Sequence, residues 1–433
     1  MRAVDAVVTH LRSPAGRRNA SIVVLVVLVL LCLTNIRRQE DFDGYVLVGE
    51  LVLEGRHVYQ DAPPGISTWP PLFGVLAVPI ALLARVSIHL ARGLWLAGQL
   101  LALFWVLKVI ADLVYDRVLA IWPRPDALVL ASPPILVPLV LCYGGVTGNF
   151  VHLQINILIF ALVLQGLAWQ GRDRPVAGGL LIGLATAIRV MPLVFLPYLV
   201  VRRRWKAAGI AVATTALLTL APALVYGWET FREYFSTWLQ VTGQGWGSTF
   251  MNQSFLAMFD RALGHGVVPF VTEEFTYLAA AEGSAARLAT WALLGLLAVV
   301  ALWRFRGPCA PAGHVALAEW SIVFTVGAYG GPVCWKSYLV VLLLPLALLY
   351  AVWRVWDVDA AVRWRAGWLL GAAFVFLLLP NRDLIGRWLS VNLEMGSIYT
   401  VGGLVLLAGL FVVHRDLQRI ETTSNPEPAS SMN

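Results

Sequence analysis

Apolar residues run along this chain in blocks rather than at alternating or single positions. The first is SIVVLVVLVLLCLTNI, and polar or basic residues separate each block from the next. Windows of roughly 20 apolar residues suffice to cross a bilayer as a helix. Such windows occur at 20–36, 70–86, 88–107, 126–143, 150–169, 175–201, 207–226, 288–303, 315–331, 337–353, 366–380 and 397–413. The pattern predicts an all-α, polytopic membrane protein of about twelve transmembrane helices, within a range of eleven to thirteen. Helices satisfy their own backbone in hydrocarbon.

Two connecting segments are long, 37–69 and 227–287. Each carries apolar residues at helical spacing, such as Tyr45, Val48, Leu51 and Val52. Short helices lying on the membrane are expected there. A strand over YVLVGELVLEG is the alternative, but an open strand pair at an interface leaves backbone groups unpaired. The domain expectation is one integral membrane unit over 1–420. The polar end ETTSNPEPASSMN, 421–433, reads as a disordered cytoplasmic tail.

Composition strengthens this picture. Of 433 residues, 59% are hydrophobic and only 13% charged, with a mean hydropathy of +0.74. A soluble domain could not bury so much apolar surface. The 18 Trp and 12 Tyr suit interfacial belts. The net charge of +7 would suggest nucleic acid in a soluble chain. Here the basic residues flank apolar blocks, as in Arg202-Arg203-Arg204, and no nucleic-acid-binding motif accompanies them, so they point to topology instead. With the loops at Arg202–Lys206, Arg304–Arg306 and Arg363–Arg365 on one face, the positive-inside rule gives cytoplasmic N- and C-termini and places 37–69 and 227–287 outside. Arg12, Arg17 and Arg18 resemble a signal-peptide n-region, but without a cleavage site followed by a soluble domain the first block reads as a retained span. The four cysteines, at 32, 142, 309 and 334, suggest neither a disulfide framework nor a metal site.

Five places carry candidate chemistry. Asp41 and Asp43 begin the first long loop; a partly desolvated carboxylate near the headgroup plane suits a general base, although Asp at this position also caps helices. Arg189 lies in VAGGLLIGLATAIRVMPLVFLPYLVV with no acid near it in sequence. A cation there is expensive and a functional candidate, since guanidinium grips phosphate in pairs of hydrogen bonds; snorkelling or a distant acid is the plain alternative. Pro192 and Pro197 after it are expected to kink the helix. Asn252, Gln253, Asp260 and Arg261 could bind sugar hydroxyls or phosphate, or form a solvated loop. GGPVCWKSY sets Trp335 and Lys336 between two spans. HLQIN places His152 and Asn156 one helical turn apart within a span, where hydrogen bonds between helices are the expected role. No dinucleotide fingerprint, P-loop, zinc-protease or nucleophile-elbow motif is present.

Taken together, DFDGYVLVGELVLEGRHVYQ, STWPPLFGVLAVPIALL, HLQINILIFAL, AGGLLIGLATAIRVMPLVFLPYLVVRRRWKAA, MNQSFLAMFDR and PVCWKSYLVVLLLPL resemble, in order and spacing, glycosyltransferase family 87. Members are multi-span, polyprenyl-phosphate-mannose-dependent enzymes of the C-type fold with a catalytic outer loop. The resemblance implies a bacterial inner-membrane enzyme moving a sugar, mannose, from a polyprenyl phosphate to a hydroxyl of a glycolipid or polysaccharide precursor, with inversion. It selects Asp41, four residues before Tyr45, as the base. It places Asp43, Tyr45, Tyr59, Arg189, Asn252, Gln253, Arg261, Trp335 and Lys336 with the substrates. Arg189, with Arg261 or Lys336, would stabilise the leaving phosphate. No cofactor or metal is implied, the lipid-linked donor being a substrate. The chain departs from the family pattern in three places: Arg189 for the usual Lys, Ser337 for the usual His, and Leu153 for Gly. The competing class, a multi-span transporter or lipid flippase, predicts internal repeats or broken spans, and no repeat is visible. A structural scaffold would leave Arg189 without a role.

Overall fold

The computed structural model describes residues 13–62, 69–124, 126–244, 249–265, 284–306 and 309–424. Among them the only strands are a short parallel pair, Val118–Leu119 with Ala127–Leu128. Every one of the twelve apolar windows contains helix. Seven helices are long and apolar enough to cross a bilayer: Pro14–Asn35, Ile88–Tyr115, Trp205–Tyr226, Ser284–Arg304, Lys336–Arg354, Ala360–Leu378 and Ile398–Thr422. The expected count of twelve is not reached by that measure, because the other five windows form shorter or broken helices.

Three of those five are Pro71–Val86, Asn156–Gly171 and His314–Gly330, of 16, 16 and 17 residues. The window at 126–143 shifts along the chain into two helices, Pro133–Leu141 and Tyr143–Val151, bent by 69°. The window at 175–201 breaks into Pro175–Ile188, a 3₁₀ turn at Met191–Val194, and Phe195–Val201. Pro192 is the second residue of that 3₁₀ turn, and the residue before a proline is steered away from α-helix. The break therefore falls where the sequence expected a kink, but Arg189 ends a helix rather than lying inside one.

Burial sorts the helices into centre and rim. In Lys336–Arg354, 83% of the apolar window is buried; in Pro14–Asn35 the share is 17% and in Ser284–Arg304 it is 11%. The rim helices turn Val23, Val27, Leu30, Leu288, Leu296 and Val299 outward. An apolar surface of this extent fits lipid and not water. Close glycine contacts draw the centre together. A Cβ on Gly145 would stand 2.7 Å from the amide nitrogen of Val340, so only glycine lets these two backbones approach so closely.

The first long loop forms the expected helix, Glu40–Leu53. Phe42, Tyr45, Val48 and Leu51 recur every three residues and are all buried on one face. Gly49 seats that face on Pro71–Val86: its Cβ would lie 2.4 Å from the carbonyl oxygen of Ala77. Tyr45 packs among Trp69, Phe73 and Trp95 at centroid distances of 4.9, 4.9 and 5.2 Å. The second long loop supplies the helix Trp228–Gln244, whose Thr230 and Glu233 meet His57 and Gln60 of the first. The final helix runs to Ser424, so the expected tail begins as helix. Its residues 425–433 lie outside the described residues, as do 1–12, 63–68, 245–248 and 266–283 of the regions considered above.

A second polar centre lies at the end of the 191–201 segment away from Arg189. Glu319 is fully buried. It accepts hydrogen bonds from Tyr198 Oη at 3.1 Å and Arg202 Nε at 2.7 Å, and it lies 3.1 Å from His414 Nε2. Arg202 also reaches it through Nη2.

Candidate active site

Asp41 lies in the first turn of Glu40–Leu53. Neither Asp41 nor Asp43 caps that helix: the capping position is Gln39, and no side chain bonds there. Three other segments close on Asp41. The first is the break between Tyr143–Val151 and Asn156–Gly171, where Leu153 has a left-handed φ of +49°. This break corrects the reading of His152 and Asn156 as neighbours on one helical turn. The chain leaves helix at His152, and Gln154 swings round to donate a hydrogen bond from Nε2 to Asp41 Oδ2. His152 Nδ1 lies 2.9 Å from Glu40 Oε2. Trp95 Nε1 fixes the break by donating to the carbonyl of Leu153 at 2.8 Å.

The second segment is the end of Pro175–Ile188. Arg189 takes an extended conformation as the helix stops, while its amide still donates to the carbonyl of Ala185 at 2.9 Å. The third is the 3₁₀ helix Lys336–Leu342, whose Tyr338 ring lies 4.4 Å beneath the Arg189 guanidinium. Stacking of this kind stabilises a cation by about 0.5–2 kcal/mol. Nη1 of Arg189 is buried and has no hydrogen-bond partner. An orphaned buried donor costs about 1–3 kcal/mol, a cost of the sort retained at functional sites.

The electrostatics of Asp41 follow from these neighbours. Burial is the largest influence and pushes its carboxyl above the usual carboxylate range. Arg189 and His152 pull it back, Glu40 pushes it up, and the Gln154 hydrogen bond pulls it down. The outcome is a partly desolvated acid beside a cation, ionised above its raised pKa.

The remaining expected residues are placed as follows. Asp43 Oδ1 accepts from the buried guanidinium of Arg92 at 2.6 Å. Tyr45 is fully buried in the aromatic cluster. Tyr59 donates to the carbonyl of Trp69 at 3.1 Å and packs on Tyr234 at 5.3 Å. Lys336 pairs with Glu394 at 2.9 Å, and Trp335 stands half-buried just before that 3₁₀ helix.

Asn252, Gln253 and Arg261 are turned inward onto backbone and loop groups. Asn252 Nδ2 donates to the carbonyl of Pro332 at 3.1 Å, and its Oδ1 accepts from the amide of Cys334 at 2.9 Å. Gln253 Nε2 donates to the carbonyls of Phe250 and Glu394 at 2.7 and 2.8 Å. Arg261 donates through Nε and Nη2 to Ser397 and through Nη1 to the carbonyls of Thr249 and Asn252. Burial brings its pKa down to about 10, which still leaves it cationic at neutral pH. These three clamp the second long loop to the 331–334 and 394–397 turns. Their donors are engaged by these backbone and loop groups.

The structure thus brings Asp41 and Arg189 together and adds Gln154, His152 and Tyr338. Gln154 carried a weak signal, as a polar residue in an apolar window. Without a Gly or Pro at 151–155 to mark the break, that window read as continuous helix.

The segment 68–329 matches the model of glycosyltransferase family 87. The match begins after Asp41, so it does not by itself assign the base. One relative is the polyprenol-phosphate-mannose-dependent alpha-(1-2)-phosphatidylinositol mannoside mannosyltransferase of Mycobacterium tuberculosis, 27% identical over 413 residues, covering 90% of this chain and 88% of the relative. A second is the corresponding pentamannoside mannosyltransferase of Mycobacterium tuberculosis, 26% identical over 365 residues, covering 80% and 70%. Among solved structures, ArnT from Cupriavidus metallidurans bound to undecaprenyl phosphate has a TM-score of 0.41 at 14% identity, over 93% of this chain and 79% of that one. That likeness is too slight to bear on the site.

Proposed function

The chain belongs to glycosyltransferase family 87, and from that premise we propose that it moves mannose from a polyprenyl phosphate to a hydroxyl of a phosphatidylinositol mannoside or related glycolipid. The relatives of known activity act on that class of donor and acceptor. The observation that supports this chemistry here is the pairing of a buried carboxylate, Asp41, with Arg189 and its unpartnered Nη1.

The mechanism follows from those two groups. Asp41 takes the proton of the acceptor hydroxyl. The oxygen attacks C1 of the sugar from the face opposite the phosphate, and the C1–O bond to phosphate breaks with its electron pair on the leaving group. Arg189 stabilises the charge that gathers there. A single displacement inverts the anomeric centre. Phosphate is a workable leaving group, so no step needs a metal or cofactor. The protein is a multi-pass membrane protein; the further reading is a bacterial inner membrane, cytoplasmic termini and an active site opening outward. The acceptor-free lipid tail of the donor would follow the apolar surface between helices.

The breaks at 141–143 and 188–191 are also what a transporter or flippase would show, and this keeps one rival reading in the test. Purified protein is given labelled polyprenyl phosphomannose and a phosphatidylinositol mannoside extract. The expected result is a mannosylated lipid whose new bond has the opposite anomeric configuration to the donor. Retained configuration would remove the single-displacement mechanism. Translocation of the donor across vesicles without any transfer would establish the rival.

A further inference from the structure

The reaction proposed above, on which this inference rests, ends each turnover with a proton on a buried carboxyl. Gln154, the hydrogen-bond partner of Asp41, is an amide and does not carry protons near neutral pH. Two residues earlier in the chain stands His152, whose imidazole is a group of the kind that takes up and releases protons. His152 is half exposed, at 50% of its side-chain surface. Its Nδ1 is held against Glu40 Oε2 at 2.9 Å, which leaves Nε2 as the ring nitrogen free to accept a proton.

Two chain segments are strained where they make these contacts. Glu40 has φ +39° and Leu153 has φ +49°, a left-handed region that residues other than glycine rarely occupy. The two contacts run side by side between the segments: Glu40 with His152, and Asp41 with Gln154. The strained Leu153 sits between His152 and Gln154 and aims both across the gap. Its carbonyl is held by Trp95 at 2.8 Å, and the amide of Gln154 by the carbonyl of Asn149 at 2.9 Å. Strain of this kind persists only where the surroundings enforce it, and it gathers at functional sites. An exposed His–Glu pair in a relaxed loop would call for no such device and would contribute little.

We propose that the Glu40–His152 pair positions and discharges the base: Glu40 fixes the imidazole by Nδ1, and Nε2 receives the proton from Asp41 through water and passes it to solvent. The proton is the one taken from the acceptor hydroxyl as the new C1–O bond forms and the bond to phosphate breaks. It leaves as a hydrated proton, and Asp41 returns to carboxylate. His152 acts through Asp41 and is a positioning residue in this scheme.

The ionisable groups facing the pair and Asp41 are few. Arg38 lies 3.7 Å from Glu40. Arg189 comes from the helix end, Tyr338 from the 3₁₀ helix and Tyr45 from the same helix as Asp41. Asp43 is paired with Arg92. Within this set a charged imidazole at His152 lowers the Asp41 carboxyl pKa and Glu40 raises it. Removing either partner therefore moves the acid limb of kcat/KM in opposite directions.

The test is the pH profile of kcat/KM with polyprenyl phosphomannose and a phosphatidylinositol mannoside, for the full-length protein and its variants. His152→Ala leaves Glu40 unbalanced and should move the acid limb up by roughly half to one pH unit. Glu40→Gln should move it down by a similar amount. Free imidazole should restore most of an approximately tenfold loss of kcat in His152→Ala. If that variant does not purify as folded protein, His152→Gln, which keeps a donor for Glu40 but carries no proton, should show the same upward shift. Shifts in one direction for both partners, or profiles matching wild type with no imidazole rescue, overturn the proposal. Asp41→Asn run alongside separates the two readings: activity near wild type there removes Asp41 as base, whereas an inactive Asp41→Asn with unshifted His152 and Glu40 variants removes only the relay.

Discussion

Replacing Arg189 with Ala separates a residue kept for catalysis from one kept for stability. The guanidinium lies over Tyr338 and leaves Nη1 buried and unpaired. Removing it forfeits the cation–π contact, about 0.5–2 kcal/mol, and relieves an orphaned donor costing about 1–3 kcal/mol. These nearly cancel, so the melting temperature in detergent should move by only a few degrees or rise. Activity should respond differently. A charge-assisted hydrogen bond to a leaving phosphate contributes about 1.5–3 kcal/mol, which at about 1.4 kcal/mol per factor of ten is a loss of roughly 10- to 150-fold in kcat/KM. The acid limb should also move up, because Arg189 opposes the burial that raises the Asp41 pKa, and a base must be ionised to act. Arg189→Lys keeps the charge but offers a point contact in place of a planar fork, and should lose about tenfold or less. Steady-state kinetics beside thermal unfolding would check both halves. Equal activity in the Ala and Lys variants, or a loss of activity that merely tracks unfolding, would refute the phosphate contact.

Other perturbations read other parts of the structure. Asp41→Asn should cut kcat by roughly 10²- to 10⁴-fold with little change in melting, since a carboxamide oxygen still accepts from Gln154; loss in Asp43→Asn alone, measured in the same assay, would move the base to its neighbour. Glu319→Ala strands Arg202 and His414 without their buried partner and should destabilise by about 3–5 kcal/mol, with activity per folded molecule retained; thermal unfolding and active-site titration together would show it. Gly49→Ala puts a Cβ 2.4 Å from the Ala77 carbonyl, so the helix bearing Asp41 must shift. A cost of about 1–3 kcal/mol and a fall in kcat are expected, read by melting and kinetics.

Much of this arrangement is legible along the chain, and the gaps have physical causes. Apolar blocks predict helices well because the bilayer demands internal hydrogen bonding; all twelve windows contain helix. They do not predict breaks. The stop at Arg189 is signalled three residues later by Pro192, yet the 152–155 break depends on Leu153 adopting a left-handed turn, which Trp95 enforces from another helix. Tertiary enforcement of that kind leaves no local mark, and Gln154 was missed for that reason. The helix Glu40–Leu53 was readable because its buried positions recur at helical spacing. The direction in which Asn252, Gln253 and Arg261 point was not: an amide can serve a sugar hydroxyl or a backbone carbonyl equally well, and only the neighbouring turns decide.

The clamps have a consequence for how the protein matures. Glu319 meets Tyr198 and Arg202 from earlier in the chain, but His414 arrives only with the last helix. Arg261 and Gln253 likewise wait for Ser397 and Glu394. A nascent chain not yet past residue 390 therefore lacks the Glu394 and Ser397 contacts that tie down Gln253 and Arg261. Contacts of this kind between early and late segments set the fastening of the second long loop after residues 394–397 are in place.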